Sequence, residues 1–283
     1  MDPAPAAFTV SRGARPIALV YDSPHSGRYF PPGVPLAASP IELRWAEDAY
    51  VDRLLAPAVE LGVPLLSGEW ARAYLDLNRD VTDIDEALLD APWPDVVEPT
   101  DKTRRGLGLI RRYVVPGLAI YAAPLTVEDV ELRIDRLYRP YHAQLDALLQ
   151  EAQHDHGVAW HVNWHSMKSV GNAMTPDGPE AARADFVVSD GDGTTASASL
   201  TNTAVDALRA LGYSVSVNTP YKGGAIVKRC GRPADGVHSI QIEINRRLYL
   251  DERAVTRLPS FCALQRDLLE FTATLSERAP RIG

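Results

Sequence analysis

The chain has 283 residues, 46% of them hydrophobic, and a formal net charge of -8. That length and apolar content suffice for a sizeable core without covalent staples, and the acidic balance excludes the electrostatic footprint of a general nucleic-acid binder, so a small-molecule partner is expected. Its two cysteines, Cys230 and Cys262, lack zinc-ribbon or redox spacing, and with neither a signal-peptide pattern nor 18 uninterrupted apolar residues the expectation is a cytoplasmic protein with no membrane partner.

Residues 1–15, rich in Ala, Pro and Arg, are expected as a loose arm. Residues 16–22 (PIALVYD) are a short apolar run closed by the turn-forming SPHSG, which suits a buried strand delivering His25 into a loop. Residues 39–61 have helical period, with Ser39 as N-cap, Leu54, Leu55, Val59 and Leu61 on one face, Gly62 at the end and Asp48 inside. Residues 71–77 read as a strand running into Asn78, Arg79 and Asp80, and the acidic, Pro-containing stretch 83–101 reads as an irregular surface loop. Residues 107–113 read as a strand, and 126–154 as a long helix that Pro140 should kink or split. Strands are expected at 158–163, 214–217 and 239–245, and helices at 199–211 and 259–275. This alternation predicts an α/β sandwich with a largely parallel sheet, and the absence of repeats or Gly/Ser-rich linkers favours one domain over residues 1–283.

Polar residues stand at the ends of several apolar runs. Ser239, Gln241, Glu243 and Asn245 alternate with Ile240, Ile242 and Ile244, which on a strand puts all the polar side chains on one face. Such a face is either solvated or part of a site, and helices covering both sides of a sheet favour the site. His165, beside Trp164 and two residues after Asn163, is either a packed core residue or a ligand, and His161 is a rival ligand by the same logic. His25, between Pro24 and Gly27, is a weaker core candidate because loops of small residues stay open.

Two separated histidines and a late glutamate are what a metal-assisted hydrolase needs: imidazole and carboxylate hold a divalent cation with a place left for water, and a carboxylate that does not ligate takes the proton. The stretch 218–233 carries Lys222, Gly223, Gly224, Lys228, Arg229 and Arg232. Its glycines allow close backbone approach and its cations suit a carboxylate-bearing ligand, although a basic surface hairpin reads as well. Arg79 beside Asn78 offers a guanidinium able to hold a carboxylate through two bonds, or a surface ion pair with Asp76 or Asp80. Ser26 and Ser166 each follow a histidine, but no G-x-S-x-G elbow supports a serine hydrolase.

PHSG at Pro24, DAYVDRLL at Asp48, DLNRD at Asp76, RLYRPYH at Arg136, WHSM at Trp164, YKGGAIVKRCGRP at Tyr221 and GVHSIQIE at Gly236 follow one another in a family order. Over most of its length the chain resembles the N-formylglutamate amidohydrolases, or deformylases, of bacterial histidine degradation, a family similar to the zinc carboxypeptidases. The resemblance implies a three-layer α/β/α sandwich with a mixed, largely parallel sheet, and one zinc ion at strand ends. It also implies hydrolysis of an N-acyl amino acid such as N-formylglutamate to formate and the free amino acid.

By motif, His25 and His165 would be zinc ligands and Glu243 the general base. The carboxypeptidase H-x-x-E pattern is missing, since Arg28 stands three after His25, so the third ligand is assigned to Asp48, with Glu47 as its rival. Asn78, Arg79, Lys222, Gly223, Gly224 and Arg232 would bind substrate, supported by Asn163, His238 and Gln241. Asn163 stands where the family usually shows an acid before the HS motif, and an amide oxygen raises the basicity of a ligating histidine less than a carboxylate does. Two alternatives remain at this level: a same-fold carboxypeptidase or hydrolase of another acyl group, and a non-catalytic binding protein with a degraded metal site.

Overall fold

The computed structural model describes residues 3–279. Its strands, in chain order, are β1 (Phe8–Ser11), β2 (Leu19–Ser23), β3 (Leu65–Gly68), β4 (Tyr113–Val115), β5 (Leu118–Ala119), β6 (Ala159–Met167), β7 (Phe186–Ser189), β8 (Val215–Val217), β9 (Val237–Asn245), β10 (Leu250–Asp251) and β11 (Thr256–Arg257). The helices are α1 (Pro40–Arg44), α2 (Val51–Leu55), α3 (Asp101–Arg104), α4 (Val127–Arg133), α5 (Arg139–His156), α6 (Ala198–Ala210), α7 (Ala225–Cys230) and α8 (Phe261–Arg278).

Seven strands form one sheet in the order β1-β3-β2-β6-β9-β7-β8. The run β3, β2, β6, β9 is parallel, β1 is antiparallel at one edge, and β7 is antiparallel to β9 but parallel to β8. The sheet is therefore mixed and largely parallel, as expected. Strands β6 and β9 pair over their whole length, from Ala159 opposite Val237 to Met167 opposite Asn245.

Alternation on these two strands sorts the side chains between two layers. Trp160, Val162, Trp164, Ile240, Ile242 and Ile244 face one core with Leu54, Leu200, Leu208, Leu264 and Phe271 of α2, α6 and α8. Each large apolar side chain removed from water there contributes ~1.5–3 kcal/mol. The opposite face carries His161, Asn163, His165, Ser239, Gln241 and Glu243, all buried. A second core, built from α5, α7 and residues of the 73–125 region, covers that side of the sheet. A polar face shut away from water survives only where its groups satisfy one another or bind something.

Several sequence expectations are corrected. The arm 1–15 contains β1, which pairs with β3 and tucks Phe8 and Val10 against the second core; residues 1–2 lie outside the described residues. The expected helix 39–61 begins with a Ser39–Glu42 capping box but breaks at 45–50, where the Asp48 N–H donates to the His25 carbonyl oxygen (3.0 Å) instead of continuing the helix. Residues 71–77 are turns rather than a strand, and of 107–113 only Tyr113 enters a strand. The helix around Pro140 is split as expected: a π turn over Ile134–Tyr138 joins α4 to α5. The stretch read as a basic hairpin contains α7, opening after Gly224.

Candidate metal and substrate site

His25 sits in the turn after β2, His165 near the end of β6, and Asp48 in the break between α1 and α2, and all three are buried. Their donor atoms meet: His165 Nδ1 lies 2.8 Å from Asp48 Oδ2, His25 Nδ1 lies 3.1 Å from His165 Nδ1, and His25 Nδ1 lies 3.3 Å from Asp48 Oδ2.

The remote ring nitrogens identify the tautomers. His25 Nε2–H donates to Asp76 Oδ1 (2.8 Å). Burial works to raise the Asp76 carboxyl, but Arg72, Arg79 and His25 overcome it and hold the group well below the ordinary carboxylate range. For His165 the reasoning passes through Asn163. Asp22 accepts from His161 Nε2 (2.9 Å), Asn163 Nδ2 (2.8 Å) and the Tyr141 hydroxyl (2.8 Å). A carboxylate can only accept, so the Asn163 NH2 faces Asp22 and its oxygen faces His165 Nε2 (2.8 Å), which also lies 2.9 Å from Asn78 Nδ2.

With Nε2–H given to Asp76, His25 Nδ1 is bare, and His165 Nδ1 is bare in the tautomer that gives Nε2–H to Asn163, so that three donor atoms can converge as lone pairs. Such a convergence could hold a cation, since tetrahedral zinc bonds set ligand atoms roughly 3.3 Å apart. The residues present fit such an ion. The acid missing beside His165 also has a substitute, because Asp22 stands behind Asn163 and polarises its amide. Burial raises the Asp22 carboxyl, and the bonds from His161, Asn163 and Tyr141 bring it below its ordinary value.

The two rivals lie elsewhere. His161 is engaged by Asp22 and by the Ser239 hydroxyl (2.7 Å), and Glu47 turns to Arg44 (3.1 Å), with its carboxyl pushed up to about 7 by burial against the opposing charge of Arg44. Asp48 keeps its other oxygen on Arg246 Nη2 (3.0 Å).

Glu243 stands directly opposite His165 in the strand register and is not one of the converging donors. Gln241 Nε2 donates to its Oε1 (2.9 Å). Burial raises the Glu243 carboxyl, with His165 opposing and Asp48 adding to the rise. Gln241 Oε1 accepts from the Gly224 N–H (2.8 Å) and from Asn78 Nδ2 (3.2 Å), while Asn78 Oδ1 accepts from the Ile226 N–H (2.9 Å). The opening turn of α7 is thus fastened to the sheet. A Cβ on Gly224 would lie 2.3 Å from Asn78 Nδ2, so this approach requires glycine.

In front of the cluster opens a cavity of about 450 Å³. Arg72, Arg79, Lys102, Arg105, Arg111, Lys168, Arg183, Lys222, Lys228 and Arg246 line it, and among the described residues Glu243 is its one lining carboxylate. Asn78, Gly223, Gly224 and Gln241 line it too, which brings five of the six expected substrate contacts together.

Arg232 is the sixth and is not there: it is half-exposed, pairs with Asp235 (3.5 Å) and donates to the Cys230 carbonyl oxygen (3.3 Å). His238 is also displaced, lying on the isoleucine side of β9, where it accepts from the Ser197 N–H (3.1 Å). Sequence reasoning missed Asp22, Arg72, Arg111 and Arg246. Asp22 carried a usable signal, since it closes an apolar run; the three arginines follow no period.

A model of the N-formylglutamate amidohydrolase family matches residues 17–250. The crystal structure of N-formylglutamate amidohydrolase from Ralstonia eutropha JMP134 superimposes with a TM-score of 0.89 at 40% identity, covering 96% of this chain and 98% of that one. An N-formylglutamate deformylase of Pseudomonas aeruginosa is 27% identical over 247 residues, 84% of each chain. One of Pseudomonas putida is 26% identical over 210 residues, 72% of this chain and 71% of that protein.

Proposed function

Because the chain belongs to the N-formylglutamate amidohydrolase family, we propose that it hydrolyses N-formylglutamate, or a close N-acyl relative carrying carboxylates, to formate and the free amino acid. One observation carries this reading: the converging donors of His25, Asp48 and His165 meet beside a cavity that His165 and Glu243 line together with ten basic residues.

His25, Asp48 and His165 would hold one zinc ion. When bound there, zinc supplies a Lewis acid for the amide carbonyl and a water acidified to a pKa of about 7. Asp76 and Asn163 keep the two imidazoles in the ligating tautomer. Glu243 takes the proton of the attacking water and returns it to the leaving amine. A carboxyl raised by burial suits both halves of that exchange, since it is closer to the working pH than an ordinary one. Gln241 fixes the orientation of Glu243, and the backbone of Gly224 and the side chain of Asn78 fix Gln241. The lining cations hold the substrate carboxylates and favour negative charge as it develops on the carbonyl oxygen.

Glu243→Gln tests the reading. The variant keeps close to the wild-type zinc content by elemental analysis and loses kcat on N-formylglutamate by about 10²–10⁴-fold, as a lost general base should. Zinc-loaded wild-type protein that leaves formyl-, acetyl- and succinyl-glutamate all intact would overturn it.

A further inference from the structure

Most arginines of the cavity already have partners. Arg72 Nε donates to Asp76 (2.8 Å), Arg246 to Asp48 (3.0 Å) and Arg183 to both oxygens of Asp177 (2.8 Å each). Arg79 donates to the carbonyl oxygens of Asn78 (2.8 Å) and Leu107 (2.7 Å).

Arg111 differs from all of them. It is 8% exposed, lines the cavity, and its buried Nε has no hydrogen-bond partner among the described residues. A guanidinium does not shed its proton to escape burial, so an unpaired one keeps its full desolvation cost until an anion reaches it. Lys168, half-buried, lines the same cavity. Burial and then the neighbouring charge of Arg72 depress the Arg111 pKa, and burial with Arg246, Arg111 and Arg183 among its neighbours brings Lys168 to about 8. Asp76 near Arg111 and Glu252 near Lys168 oppose these shifts, but neither Arg111 nor Lys168 has an ion-pair partner among the described residues.

We propose that Arg111, with Lys168 in the same cavity, forms an anion subsite that holds one of the substrate's carboxylates and selects for it. The word substrate rests on the hydrolase reading above; the subsite itself rests on Arg111.

The test compares wild type, Arg111→Met and Arg111→Lys on N-formylglutamate and its two monoamides, N-formylglutamine and N-formylisoglutamine. Arg111→Met should raise KM for N-formylglutamate by about 10- to 100-fold with kcat little changed, the scale of a lost charge-assisted contact. It should leave unaffected the one monoamide that lacks the carboxylate Arg111 holds. Arg111→Lys should fall between. Equal losses on all three substrates, or no loss, would overturn the subsite.

Thermal unfolding supplies a readout independent of turnover. Without ligand, Arg111→Met should melt at or above wild type, because an uncompensated charge has gone. Glutarate should stabilise wild type more than valerate does, and the difference should vanish in the variant. A variant that melts lower and responds to glutarate as wild type does would assign Arg111 to structure. If wild type hydrolyses none of the three compounds, the hydrolase reading fails while the glutarate comparison still decides the subsite.

Discussion

A single proton decides what His25 can do. With Nε2–H given to Asp76, its Nδ1 presents a lone pair toward Asp48 and His165; with the tautomer reversed, the same ring would present a hydrogen. Asp76→Asn removes the charge that holds this tautomer and lets the amide turn either end to the ring. The expected result is a 10- to 100-fold weaker zinc affinity, the range of about one to two decades seen for such supporting groups, measured by competition with a chelator. kcat per bound zinc should change far less. Two of the three converging residues, His25 and His165, were legible as candidates because each stands at the end of an apolar run, whereas Asp48 came forward only through its motif. Arg111 was not legible, because an isolated arginine has no sequence pattern that separates a buried guanidinium from a solvated one. Arg232 was misplaced because it follows a glycine- and cation-rich run that reads as one loop, whereas α7 intervenes and leaves it with Asp235.

Among the elements, the long central strands declared themselves and the short ones did not. β9 showed its alternation over the whole run from Ser239 to Asn245, but β3 and β7 are four residues each and buried on both faces, which erases the period of two. Asp48 was placed inside a helix because the periodicity of Leu54, Leu55 and Val59 extends toward Ser39; no local rule announces that a distant carbonyl, that of His25, captures the amide and ends α1.

Helix α5 carries a pH prediction. His142 is buried, its Nε2–H donates to the Leu77 carbonyl oxygen (3.0 Å), and its Nδ1 has no partner among the described residues. Burial, with Arg229 adding, pushes its pKa down to about 4. The unfolded chain, with an imidazole near pKa 6.5, binds the proton first as pH falls, so this contribution is complete above about pH 6.5 and declines toward pH 4, by at most about 1.4 kcal/mol per pH unit. His142→Gln can keep the bond to Leu77, and urea unfolding at several pH values should show it losing less stability than wild type across that window. Parallel curves would exclude His142 as the titrating group.

Across the whole molecule, the formal charge of -8 and the cavity's ten cations pull in opposite directions. Composition showed a net negative charge, but a global sum cannot reveal that positive charges are gathered in one recess. This separation predicts a specific salt response. Raising ionic strength from about 0.01 M to 0.5 M shortens the screening length from about 30 Å to a few ångströms, so KM for N-formylglutamate should climb while KM for a neutral N-formyl amino acid amide moves little. Equal changes for both substrates would show that the recess does not act through its charge. The sheet was legible in class and in its parallel bias, while its strand order was not, because order depends on which buried faces meet rather than on any local run.

The sheet is longest at its centre and shortest at its rims. β6 and β9 have nine residues each, whereas β1 offers four and β8 three. Rails so brief give a stray extended peptide little to zip onto, and the lengthy ladders where such a guest could gain most are already taken on both sides. The chain can therefore stand at high concentration with its stickiest backbone kept indoors, where it serves as the rigid bench on which the site is mounted.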